Sequence, residues 1–403
     1  ALSTINSANG YIFIAGHGAN QTTGVGEGIQ MAEGTLVDGG TGKIHIYGTS
    51  NAITTSNGYS EGIRLRGVTS LNASRPLTIT NSSSATDAIV IVGDASASTQ
   101  GRAGGILAVS WNAKTGGGSR NIIANTGTGG VTLTGRGGTT TAADTSDTRG
   151  AGLELYATAI LAKSGTITLN GDTSSPNNGI TYGFTSNDAN VGSPQTFPGP
   201  SYFGAAPGVT INGTDMSTSS SNIVFNVDSI YVPNNGTSST NVTTTGTVKI
   251  QPASNGSAIT SFDRAVSNSG ITLDAANTGF TFGKAGNTSD VTVAAAISSA
   301  GAVEIAGGAV STSANIAAGN SSTVMLRANT LTLGNLNTVR ATNGIVTVTP
   351  TTDSTPIKVG PKTAGCLCML VEEYGTITAN IVRFGEAGGT NSGTITISSF
   401  GTP

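Results

Sequence analysis

Gly42-Lys-Ile-His-Ile-Tyr-Gly48 sets Ile44 and Ile46 two residues apart, with a glycine at each end of the run. Residues i and i+2 of a strand share a face, so the two isoleucines point one way and Lys43, His45 and Tyr47 the other. The flanking glycines let the backbone turn with positive φ, so the unit predicts one short strand between two corners. The same form recurs at Gly10-Tyr-Ile-Phe-Ile-Ala-Gly16, Gly130–Gly135, Gly165–Gly171, Gly246–Ile250, Gly270–Asp274 and Gly393–Ile397.

The units are spaced. Ile12, Ile44 and Leu77 lie 32 and 33 residues apart, Val248, Ile271 and Val291 lie 23 and 20 apart, and Val303, Val324 and Val346 lie 21 and 22 apart. A strand returning every 20–35 residues, with Gly/Ser/Asn-rich turns between, predicts an all-β chain folded as a β-solenoid. One coil cannot bury its Ile/Val face alone, whereas stacked coils share a narrow continuous core. A row of β-sandwiches would need a recurrence near ~100 residues, which is absent.

Composition points the same way. The 403 residues hold 59 Gly, 63 Thr, 44 Ser and 33 Asn, about half the chain from four small residue types. With 36% apolar and 10% charged residues, the chain is neither disordered nor an ordinary mixed helix–sheet enzyme. The net charge of −3 gives no electrostatic basis for nucleic acid as a partner, and no stretch approaches the ~20 apolar residues of a membrane helix, so no membrane insertion is expected. No charged start followed by an apolar core marks a signal peptide at Ala1; one was removed, or the chain is part of something longer.

The regular pattern breaks between Gly171 and Gly208. Five of the twelve prolines (Pro176, Pro194, Pro198, Pro200 and Pro207) fall there, with Tyr182, Phe184, Phe197, Tyr202 and Phe203. Proline removes a ladder donor, so the segment cannot be a central coil throughout. It reads either as a turn insertion with its own small core or as a contact loop built on Phe197, Tyr202 and Phe203. The organisation expected is solenoid coils over 1–170, an irregular insertion over 171–208 and further coils over 209–403.

Catalytic chemistry has little to work with. His17 and His45 are the only histidines and read as solvent-facing strand positions; no metal ligand set, catalytic residue or cofactor site is expected. Cys366-Leu-Cys368 sits in an apolar run and reads as two buried thiols on one strand face, the alternative being a covalent link to a neighbouring subunit. Glycoside hydrolysis needs two carboxylates at a fixed separation, yet adjacent carboxylates occur only at Glu372-Glu373, leaving a polysaccharide-degrading enzyme as the third choice. Thr-x-Thr pairs such as Thr132/Thr134, Thr166/Thr168 and Thr330/Thr332 would form an ice-binding array only in register across at least four coils; exposed β-branched strand positions are the simpler reading. Nine Asn-x-Ser/Thr triplets, Asn81, Asn287 and Asn320 among them, mark glycan acceptors only in a glycosylating host.

Gly344-Ile-Val-Thr-Val-Thr-Pro350, Pro356-Ile-Lys-Val-Gly360, the acidic segment at Glu372-Glu373, Thr376–Gly385 and Gly393-Thr-Ile-Thr-Ile397 together resemble a repeat of filamentous haemagglutinin-like large exoproteins. Phe282–Val293 leading to Ala302–Gly308 looks like another such repeat, so the resemblance is specific over 245–403 and compositional before it. It implies a secreted, right-handed parallel β-helix serving at the cell surface as an adhesin or fibrous coat. The family's secretion domain carries Asn-Pro-Asn-Gly, and this chain has no Asn-Pro pair, which fits an excerpt or a shorter subunit that gains length by stacking.

Such a body has two open ends, and an uncapped rung invites pairing with another chain. The function expected is therefore a non-enzymatic extracellular structural protein, a subunit or segment of a fibre, filament or adhesin. It would self-associate into a homo-oligomer or filament through Tyr11, Ile12, Phe13 and Ile14 at one end and Ile395 and Ile397 at the other. The alternative is a monomeric adhesin segment that binds a carbohydrate or a host cell surface through the loop at Phe197, Tyr202 and Phe203.

Overall fold

The computed structural model describes residues 3–19, 26–51, 60–67, 76–99, 103–109, 121–138, 152–156, 158–173, 209–212, 215–218, 220–227, 230–231, 240–252, 259–260, 271–273, 277–293, 296–334, 338–386 and 393–398. The protein is all-β, with long parallel sheets and, among the described residues, a single short helix, α1 (Val371–Gly375). It divides into two compact units, Ala1–Thr243 with Asn268–Thr272, and Thr244–Ser267 with Leu273–Pro403.

In the first unit the chain visits three sheets in turn and then returns to the first. Thr4–Asn6, Ile12–Gly18 and Ile29–Met31 begin the three sheets; Leu36–Asp38, Ile44–Ser50 and Ile63–Arg66 lie beside them in the same order. From Thr4–Asn6 to Asp215–Thr218, each strand is thus hydrogen-bonded to the strand one circuit later, in parallel, and the ladders are built from segments far apart in sequence. The middle sheet shows how the sequence enforces this. Its inward positions are Ile12 and Ile14, then Ile44 and Ile46, Ile89 and Ile91, Val131 and Leu133, Ile167 and Leu169, and Ile223 and Phe225, each pair in register with the next. From Ile44 onward these side chains are wholly buried. A slip of one residue would turn each pair outward, so the pattern fixes the register.

Two devices hold the corners. A glycine ends the inward run in the first four circuits, at Gly16, Gly48, Gly93 and Gly135, and the next sheet opens with another glycine, at Gly28, Gly62, Gly105 and Gly152. A Cβ at Gly48 would strike the Gly62 carbonyl oxygen, and one at Gly93 the Gly105 oxygen, so the two walls approach too closely for any side chain there. At another corner, buried Asn81 donates to the Gly42 and Ala88 carbonyls at 2.9 and 2.8 Å, and Asn125, its neighbour in the ladder, donates to Ser83 and Gly129 at 3.0 and 2.7 Å. These amides tie together carbonyls of the turning backbone, two of which, those of Ala88 and Ser83, also accept from the Ile44 and Gly129 amides. Asn81 and the fully buried Asn287 therefore cannot accept glycans, although both lie in acceptor triplets, whereas Asn320 is exposed.

The second unit repeats the arrangement with shorter circuits. Phe280, Val303, Val324 and Val346 succeed one another down one ladder, at intervals of 23, 21 and 22 residues. Val291–Val293, Ala309–Thr312 and Thr330–Leu333 form a second ladder, and Ile297–Ser298, Ile316–Ala318 and the start of Val339–Thr349 a third.

Several expectations need correcting. Ile12 pairs with Ile44 as expected, 32 residues on, but Ile44 pairs with Ile89, not Leu77, a circuit of 45 residues, and Ile167 to Ile223 takes 56, so some circuits in the first unit exceed the expected 20–35. Leu77 precedes a strand of a different sheet, Thr78–Asn81. Val248 pairs with Phe280 rather than Ile271, and Val291 belongs to another ladder. The error arises because three strands in each circuit carry the same alternation. No threonine array forms on the middle sheet: the outward column runs Phe13, His45, Val90, Thr132, Thr168, Val224. Cys366 and Cys368 are joined in a disulfide rather than being thiols. The strand begins only at Leu367, and the turn at Gly365 (φ +79°) brings the two Cα atoms to 5.3 Å, within the bridging range. Ile167–Thr173 continues past position 170, and residues 174–208 lie outside the described residues.

Candidate assembly edges

The first strand of each ladder has a described partner on one side only. Thr4–Asn6, Ile12–Gly18 and Ile29–Met31 each end a sheet. Toward the other terminus, and among the described residues, Ile377–Phe384 pairs only with Val339–Thr349, and Ile395–Ile397 only with Ile357–Val359. Proteins that must stay monomeric blunt such edges with lysine, proline or a covering segment. Here the edges are apolar. Eight large hydrophobic residues are exposed among the described residues: Ile5, Tyr11, Phe13, Leu161, Val371, Ile381, Ile395 and Ile397. All except Leu161 lie on these edge strands, next to one, or on α1, which leads into Ile377–Phe384.

Tyr11 and Phe13 are 56% and 57% exposed, while Ile14 is half-buried and Ile12 is already buried in the chain's own core. Alternation makes this split: Ile12 and Ile14 face inward and Phe13 outward. Ile395 and Ile397 are 50% and 57% exposed. Phe197, Tyr202 and Phe203 lie outside the described residues.

Sequence reasoning missed the company that Tyr11 and Phe13 keep. Tyr11 meets His45 edge-on with centroids 5.0 Å apart, and Phe13 lies 5.5 Å from Tyr47. The Tyr11 hydroxyl is 2.9 Å from His45 Nδ1, and His45 Nε2 is 3.1 Å from the Asp87 carbonyl oxygen. A carbonyl only accepts, so His45 Nε2 is the donor to Asp87, and Nδ1 is left to the Tyr11 hydroxyl. Lys43 pairs with Asp87 at 2.7 Å, and this hydrogen bond, with a smaller charge contribution from His45, holds the Asp87 carboxyl below its ordinary range. His17 lies 2.6 Å from the Thr49 hydroxyl. The signal was available: aligning the two Gly-bounded units by their isoleucines sets Phe13 beside His45 and Ala15 beside Tyr47.

In the second unit, the Ile377–Phe384 edge is held from within. Glu373 on α1 is almost fully buried and accepts hydrogen bonds from the Leu333 and Leu370 amides at 3.0 and 2.8 Å and from the Lys362 ammonium at 2.7 Å. It ties the helix to the ends of two strands and so positions Ile377–Phe384. At the register of Val346–Val348, that strand presents Val382 and Phe384 inward and Ile381 and Arg383 outward. Ile381 is 48% exposed, and both Val382 and Phe384 are only half-buried, the last layer of their core. Among the described residues no group of three or more His, Cys, Asp or Glu side chains is placed to hold a metal ion. No helix there is long and apolar enough to cross a membrane.

No known family, curated protein or solved structure matches the chain.

Proposed function

We propose that the chain is a β-solenoid and acts as a non-enzymatic subunit or segment of an extracellular fibre, surface filament or adhesin, associating with its own copies through its ends. The solenoid reading rests on the return of each strand to the same sheet, in parallel, one circuit later; a right-handed path follows the strong preference of parallel crossover connections. The observation that carries the functional reading is the placing of exposed apolar residues. Seven of the eight among the described residues lie at the terminal strands or on α1. Apolar edges with free backbone donors and acceptors suit strand addition by another copy. The extracellular setting rests on the resemblance of 245–403 to secreted exoprotein repeats.

Sedimentation across a concentration series, with electron microscopy of the same samples, tests this. Filaments that grow with concentration and that need a higher concentration to form in Phe13→Lys and Ile381→Lys, with circular dichroism unchanged, support it. A monodisperse monomer at high concentration overturns it. The second reading, a monomeric adhesin segment that binds carbohydrate, draws on the rings of Tyr11, Phe13 and Tyr47 beside polar His45 and Lys43. Binding to a glycan array by a protein that stays monomeric would favour it.

A further inference from the structure

We propose that copies join with Ile12–Ile14 of one chain lying parallel to Val382–Phe384 of the next, Ile12 beside Val382 and Ile14 beside Phe384. The proposal rests on the end-to-end reading and adds the register of the join.

Within both units, each rung of this ladder type contributes two inward residues, and each pair sits on the preceding pair without offset. Val382 and Phe384 continue the column of Val346 and Val348, which are wholly buried. A half-buried last layer needs a further rung to complete it. Among the described residues, the only rung of this kind with an open side at the other terminus is Ile12–Gly18. A slip of one residue would bring Phe13 inward. A slip of two would set Ile12 against Phe384 and leave Ile14 beyond the end of the strand at Phe384.

The same register settles the outer face. Tyr11 falls beside Ile381 and Phe13 beside Arg383, so three apolar side chains that are each about half exposed are covered in one step. The Arg383 guanidinium would lie at the Phe13 ring, a cation–π pair suited to a rim.

Cysteine cross-linking of the full-length chain, in a Cys366→Ser/Cys368→Ser background, reads the register directly. Phe13→Cys with Arg383→Cys should give a ladder of covalent multimers under mild oxidation, because directly opposed strand residues lie within bridging distance. Phe13→Cys with Thr378→Cys should stay uncross-linked. A second pair of variants avoids dependence on cysteine. Phe13→Lys, facing Arg383, should raise the concentration needed for filament growth by about tenfold, equivalent to about 1.4 kcal/mol, whereas Phe13→Glu should change it by less than about threefold. Filaments that cross-link through 13/378 instead, or that tolerate Phe13→Lys as well as Phe13→Glu, overturn the register and leave end-to-end association standing. Failure of the unaltered protein to form multimers overturns both.

Discussion

Replacing Gly135 by alanine tests whether the close approach of the sheets is what the glycine column secures. The added methyl would meet the carbonyl oxygen and carbon of Gly152 and, at 2.6 Å, Cδ2 of Leu153. Two of these three atoms are backbone, and the Gly152 oxygen already accepts from the Ile106 amide at 2.9 Å. Relief therefore requires moving one sheet away from the other and lengthening a ladder hydrogen bond. Overpacking of this kind costs about 1–3 kcal/mol, and a weakened backbone hydrogen bond adds about 1 kcal/mol, so about 2–4 kcal/mol is expected. With a urea slope of about 2–3 kcal/mol per M, the unfolding midpoint of the first unit should fall by about 1 M. Stacked circuits can lose cooperativity, so the midpoint is the quantity to compare. Gly10→Ala is the control: its methyl would meet only the Ser7 side chain, whose hydroxyl can rotate away. It should stay within about 0.5 kcal/mol of the parent. Equal midpoints for the two variants would refute the steric account of the corner.

Glu373→Ala should destabilise the second unit by about 2–3 kcal/mol, measured by denaturant unfolding, because it leaves the Leu333 and Leu370 amides without their acceptor; an effect below about 1 kcal/mol would mean water replaces the carboxylate without loss. Iodoacetamide should label neither cysteine of the unfolded, unreduced chain and both after reduction, read by mass; labelling without reductant would show that Cys366 and Cys368 are thiols. Asp87 has its pKa lowered on folding, so its contribution to stability is present above the unfolded value and is lost as pH falls through the folded one. The difference in melting temperature between the parent and Asp87→Asn should then shrink below about pH 4, while remaining small at about pH 7 because the pair is exposed.

The strands were legible because alternation and glycine are local signals. The Gly-bounded units at 10–16, 42–48, 130–135 and 165–171 all became strands of one sheet. Which strand pairs with which was not legible, since Ile44, Ile63 and Leu77 all open similar runs and only packing assigns them to three different walls. The disulfide was missed because Cys366 was placed on a strand that starts one residue later. At the edges, Tyr11, Phe13, Ile395 and Ile397 stood out from their nearness to the termini, whereas Ile381 and the Glu373 anchor did not. Their significance comes from a sheet edge and a buried carboxylate, both made by residues distant in sequence.

The threading of each circuit through three ladders has a consequence for how the protein would survive damage. A strand such as Ile89–Asp94 is hydrogen-bonded on one side to Ile44–Ser50 and on the other to Val131–Gly137, neither of them its neighbour along the chain. A protease that severed one connection would leave both fragments clamped by rungs on either side of the cut. Nicked molecules should migrate as pieces on a denaturing gel and as one particle in native buffer, so the fold would keep its integrity after its covalent continuity had gone.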